Sequence, residues 1–208
     1  MSGQTVADAR TLADKVIAMG VLEATRPPRT QQVHIGALLS DAVLQPGLNY
    51  RTVVAPRVNR VVRLFPEAVC LLAFSGILLR HGPNYVLNWK HHEKPRRLTE
   101  IVRVLGEESI ESAHDLASWL GSETNVAKLL HIRGVGPKTV DYMAILAGAD
   151  GVAIDRHIES FLEAAGIAPK DYADARRIVC LTADLLGVSR GTLDQALWET
   201  CSQVKSNM

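Results

Sequence analysis

The stretch HIRGVGPKTVDYMAILAG, residues 131–148, carries two glycines two positions apart, then a proline, a lysine and an apolar run at helical spacing. Gly134 and Gly136 open backbone angles closed to other residues, so RGVG (Arg133–Gly136) reads as a tight turn. The preceding NVAKLLHI has the apolar spacing of a helix, and Pro137 fits the first position of the next one, where a missing N–H costs nothing. The segment predicts helix, hairpin, helix. Free N–H groups at the turn and at the start of the second helix, with that helix's positive end, form an anion site. A DNA phosphate fits such a site without any reading of bases. A nucleotide phosphate loop requires a glycine directly before the lysine and a strand before the loop; Pro137 and a helix stand there instead. GVG alone is equally the pattern of a plain interhelical turn with a glycine C-cap.

Lys138 points beyond a plain turn. An amine at a helix N-terminus meets an unfavourable dipole, where stability favours Asp or Glu. The same field, with partial burial, lowers the amine's proton affinity and leaves more free base, a nucleophile toward carbon centres that become iminium ions. Seventeen residues later, AIDRHI places Asp155 at the N-cap of an amphipathic helix; capping is its ordinary role. If the helix after the turn ends near Leu146 and GADG reverses the chain, Asp155 returns toward Lys138. An amine and a carboxylate beside a phosphate site are equipment for chemistry at a sugar C1′. Tyr142, one turn beyond Lys138, is placed to stack on an extruded base or to pack in the core. Asp141 is placed either to orient Lys138 or to face solvent.

LLHIRGVGPKTVDYMAILAG followed by VAIDRHI resembles the helix-hairpin-helix, Gly/Pro-rich, Asp (HhH-GPD) superfamily of base-excision DNA glycosylases, which includes endonuclease III and 8-oxoguanine glycosylase. The spacing matches the lysine-bearing branch, whose members are bifunctional glycosylase/lyases. The resemblance implies that Lys138 is the Schiff-base nucleophile and Asp155 the essential carboxylate. It implies that Gly134, Val135 and Gly136 present amides to a phosphate, helped by Thr139 and the adjoining Arg133, and that His157 approaches the DNA backbone. A monovalent cation on the hairpin carbonyls is an optional feature of such proteins. The match is strongest over Leu129–Ile158 and weaker over PRVNRVVRLFPEA (Pro56–Ala68) and LDQALWE (Leu193–Glu199). The glutamine-bearing stretch that fills the gap left by a flipped base has no counterpart; YRTVVA (Tyr50–Ala55) stands there. The four-cysteine tail that holds an iron–sulfur cluster in many relatives is missing, with only Cys180 and Cys201 in that half, so no cluster is expected. Residues 1–45 lie outside the resemblance.

The remaining chain reads as helices. TVADARTLADKVIAMGVLEA (Thr5–Ala24) is periodic; TRPPRT breaks it, HIGALLSDAVL resumes, and QPGLN (Gln45–Asn49) is a turn cluster and a plausible domain boundary. Further helical segments run to the C-terminus, with no alternating strand pattern. The expected fold is all-α in two lobes. Residues 46–150 would form a barrel-like lobe ending in the hairpin, residues 1–45 plus 151–208 the second, with a substrate cleft between. The longest apolar run, Ala68–Leu79, suits a buried helix and is too short to cross a bilayer. No signal peptide is recognisable, and the scattered cysteines suit reduced thiols, so the expected setting is cytoplasmic, nucleoid-associated in a prokaryote.

Net charge is +1, but Arg51–Arg103 holds ten Lys/Arg against three Asp/Glu, leaving the remainder at −6. A duplex would feel that basic third; a solvated basic face gives the same pattern. WKHHEKPRR (Trp89–Arg97) suits either a phosphate-tracking strip or a solvated helix start. His91 and His92 are adjacent, poor geometry for one metal, so no zinc is assigned. Trp119 and Trp198 read as core. The expected function is a bifunctional DNA glycosylase/AP lyase acting on double-stranded DNA with a damaged or modified base or an abasic site, as a monomer with no membrane partner and no required cofactor. The alternatives are a monofunctional glycosylase in which Asp155 activates water, and a non-catalytic helix-hairpin-helix DNA-binding protein.

Overall fold

A computed structural model describes residues 3–23 and 33–204, with side chains through Cys201. Among the described residues the fold is all-α, with twelve helices, one π-helical turn and no strand. The chain forms two compact units, residues 30–149 and residues 1–29 with 150–208. TRPPRT lies outside the described residues.

The first helix of the discontinuous unit, α1 (Gly3–Ala18), ends earlier than its periodicity predicts, because Gly20 takes a left-handed φ of +61° and turns the chain back. It packs along α11 (Tyr172–Leu186), and α10 (Arg156–Ala164) and α12 (Arg190–Val204) complete the unit. Leu12 and Val16 of α1, Ile158 and Phe161 of α10, Ile178 and Val179 of α11 and Leu197 of α12 share one core. Asp171 caps α11 through the Asp174 amide, and buried Asp174 accepts from Thr5 across the α1–α11 contact.

The continuous unit is built around α2 (Ile35–Leu44), in which all ten residues are buried. Here the boundary expected at residue 46 is corrected. The helix packs against α3 (Ala55–Leu64), α4 (Leu71–His81), α6 (Glu93–Glu107) and α9 (Pro137–Leu146), so it belongs with the middle of the chain. A helix apolar on every face needs partners all round, and QPGLN is only the turn that leads out of it. Gly36 permits the closest approach: a Cβ there would stand 2.8 Å from the Phe74 ring and 2.9 Å from the Ala68 Cβ. His34 caps α2 by accepting the Ala37 amide at Nδ1 (3.0 Å), while its Nε2 donates to the Phe65 carbonyl (2.9 Å). The π-helical turn Tyr50–Val54 feeds α3; α5 (Pro83–Leu87), α7 (Ala113–Trp119) and α8 (Glu123–Leu130) complete the unit.

Candidate active site

Residues 131–136 join α8 to α9. Gly134 sits at φ +86°, the left-handed region that favours glycine. Gly136, also expected to need such freedom, is instead extended at φ −108°, ψ 173°, and a Cβ there would meet nothing within 4 Å. Gly136 is the N-cap of α9 with no side-chain cap bond, and Pro137 follows at the first helical position.

The amide inventory refines the phosphate-site expectation. The Val135 N–H donates to the Ile132 carbonyl (2.9 Å) and Val135 is buried, so its amide is not on offer. The Thr139 N–H is likewise spent on the Gly136 carbonyl (2.9 Å). The Gly134 and Gly136 amides make no hydrogen bond among the described residues. Lys138, second residue of α9, is partly exposed; Arg133 is exposed at the tip of the turn.

Helix α6 packs its N-terminal half against this turn. Arg96 Nη2 donates to the Arg133 carbonyl (3.0 Å) and pairs with Glu93 at 3.4 Å. Desolvation opposes the ionisation of Glu93, but the Arg96 hydrogen bond and the charges of Arg133, Arg96 and His92 prevail and hold its carboxyl below the usual range. The Arg97 guanidinium lies across the Gly134 backbone: a Cβ at Gly134 would stand 2.6 Å from Cζ and 2.8 Å from Nε.

Tyr142 is only 6% exposed, and its hydroxyl donates to Asp41 Oδ1 (3.1 Å). Its ring is packed in the core of the unit, so stacking on an extruded base is not the role this placement gives it. Asp41, 1% exposed in the middle of α2, also accepts from the Tyr50 hydroxyl at Oδ2 (3.1 Å). Sequence reasoning missed this carboxylate; the available signal was one Asp inside an otherwise apolar helix.

Asp155 and His157 belong to the discontinuous unit. Asp155, 8% exposed, caps α10 by accepting the His157 amide (2.8 Å) and the Ile158 amide (3.1 Å), both at Oδ1. Oδ2 makes no hydrogen bond among the described residues. The cap therefore fixes the carboxylate's orientation through one oxygen. His157 is buried with its ring edge-on to Trp198 (6.1 Å between centroids).

Much of the basic third is internally employed. Arg57 and Arg60 on α3 donate to carbonyls at the end of α5, Arg57 to Asn88 (3.2 Å) and Arg60 to Tyr85 (2.9 Å). Lys94 donates to the carbonyls of Val43, Leu44 and Pro46 at 2.9–3.0 Å, and Arg57 and Lys94 both approach the Trp89 ring, 5.4 and 5.9 Å from its centroid. Those groups hold helices together, and the phosphate-tracking reading of WKHHEKPRR contracts to the arginines at the turn. His91 and His92 stack on each other in solvent, and no cluster of metal-ligating side chains occurs among the described residues. No described helix is long and apolar enough to cross a membrane.

No curated protein and no solved structure matches the chain. The model of one family, described as a domain of unknown function (DUF8548), matches residues 90–202. That span runs from the start of α6 into α12 and takes in Arg97, the α8–α9 turn, Lys138 and Asp155. Since the match extends over more than half of the 208 residues, the protein belongs to the DUF8548 family.

Proposed function

We propose that the protein is a DNA glycosylase with AP lyase activity, acting through Lys138 and Asp155. The observation that carries this reading is the place of Lys138 in the second position of α9, directly after a turn whose Gly134 and Gly136 amides are unengaged. An unneutralised helix start binds a phosphate of the duplex, and the amine one step inside it is then held near the sugar of a neighbouring nucleotide. The orientation of Asp155 by its own helix cap supports the same reading: a carboxylate fixed through Oδ1 is preorganised to act through Oδ2.

The target nucleotide is turned out of the stack, because C1′ is inaccessible within the duplex. Lys138 Nζ, deprotonated, attacks C1′; the C1′–N bond breaks, the base leaves with its electron pair, and the new ammonium gives its proton to the departing base. Asp155 stabilises the positive charge that develops on the sugar. Ring opening gives the imine, loss of a 2′ proton follows, and the C3′–O bond breaks with the phosphate as leaving group. The substrate class is duplex DNA bearing a damaged or modified base, or an abasic site.

Borohydride reduction in the presence of abasic or lesion-bearing duplexes tests this. Wild-type protein should be trapped covalently, and Lys138→Gln should lose the adduct at least a hundredfold while still binding the duplex. Trapping that survives in Lys138→Gln removes the amine from the mechanism. A second reading, a DNA-binding protein without turnover, is favoured by the ordinary capping geometry of Asp155. It predicts salt-dependent binding with neither base release nor nicking on any lesion.

A further inference from the structure

We propose that Arg97 is a phosphate ligand lent to the α8–α9 turn by α6, and that it makes the turn a two-part site for a nucleic-acid phosphodiester. The inference deepens the reading of this turn given above and rests on it for the nucleic-acid identity of the ligand.

Three observations carry it. First, the Arg97 guanidinium is seated directly on Gly134, where any side chain would displace it. The φ of +86° is what requires glycine here; a Cβ would only push the guanidinium aside. Second, Arg97 makes no hydrogen bond among the described residues, and its Nε is buried. A guanidinium carries five donors in a rigid fork, and the outer N–H groups of this one have no acceptor among the described residues. Third, the local charge is unbalanced. Arg96, Arg97 and Arg133 gather at the turn; the Glu93 carboxylate beside them is shared between His92 (3.1 Å) and Arg96 (3.4 Å), while Arg96 also reaches the Arg133 carbonyl. Like charges so placed repel until an anion joins them. Burial, and then the neighbouring Arg96, bring the Arg97 guanidinium below its ordinary range, with Glu93 opposing.

The ligand's chemistry follows from the donors. The Gly134 and Gly136 amides and the Arg97 fork come from different elements, so they suit a tetrahedral anion with several acceptor oxygens better than a planar carboxylate. Free phosphate and a duplex phosphodiester share that chemistry, and the test separates them.

The experiment measures full-length protein binding to a duplex carrying a tetrahydrofuran abasic analogue, over a series of NaCl concentrations. Arg97→Gln removes the charge and the fork and leaves a shorter polar side chain. It should weaken binding about tenfold and lower the slope of log K against log [NaCl] by about one. Arg97→Lys should keep the slope and lose part of the affinity, because the point charge remains and the fork is gone. Circular dichroism and thermal melts establish that both variants fold; should Arg97→Gln melt early, Arg97→Lys carries the comparison through its affinity loss at an unchanged slope. A slope and an affinity unchanged in Arg97→Gln overturn the proposal. So does a result in which inorganic phosphate raises the melting temperature of wild type but not of Arg97→Gln while DNA binding is identical, since the site would then serve free phosphate. If wild type cannot be trapped by borohydride but Arg97→Gln loses the slope, the phosphate site stands and the lyase reading fails. If wild type is trapped and the slope is unmoved, the reverse holds.

Discussion

Asp41 is the residue whose surroundings matter most to the continuous unit. A carboxylate so deeply buried is tolerable only where hydrogen bonds replace its water, and the hydroxyls of Tyr50 and Tyr142 do this, one on each oxygen. Tyr142→Phe should therefore destabilise the protein by about 1–3 kcal/mol, because it leaves a buried acceptor short of a donor. Tyr50→Phe should cost less, since Tyr50 is half-buried and water can substitute. Urea unfolding of both single mutants and the double mutant measures this, and the double should fall short of the sum because the two hydroxyls share one carboxylate. Since Tyr142 lies one turn beyond Lys138 on α9, the same network fixes the face that the helix presents.

At the scale of the element, α2 is held at both ends by side chains from elsewhere in the sequence or just before it. His34 caps its start, and Lys94 brings three donors to its last carbonyls, where a positive charge also meets the favourable end of the helix dipole. Burial first, and Arg97 second, push the Lys94 amine down to about 8. The unfolded chain thus binds this proton more tightly than the folded one between about pH 8 and the amine's ordinary range. The stability Lys94 contributes is full above that range and is lost as pH falls through about 8. Lys94→Met should destabilise by about 1–3 kcal/mol at neutral pH, by stranding the carbonyls of Val43, Leu44 and Pro46, and the gap to wild type should widen as pH rises above about 8. Thermal melts of the two proteins from pH 7 to 10 read both effects.

At the scale of the molecule, each unit has its own core, and one of them is assembled from the two ends of the chain. Leu12 is fully buried among α10–α12 residues that follow it by more than a hundred positions. Leu12→Ala should cost about 2–5 kcal/mol and raise amide exchange in α10, α11 and α12, as read by hydrogen-exchange mass spectrometry. The sequence alone determined the all-helical class, since period and capping are local: apolar spacing marks a helix wherever it falls, and Asp155 and Pro137 announce helix starts within one turn. It also marked the α8–α9 turn, because Gly134 tolerates the left-handed φ that reverses the chain and Pro137, three residues on, starts the next helix. Only the tertiary structure decided that α2 joins the middle of the chain, that Tyr142 faces a buried carboxylate and that Arg97 lies on Gly134. Each of those facts depends on residues distant in sequence meeting in space, and periodicity records which face of a helix is apolar without recording which neighbour covers it.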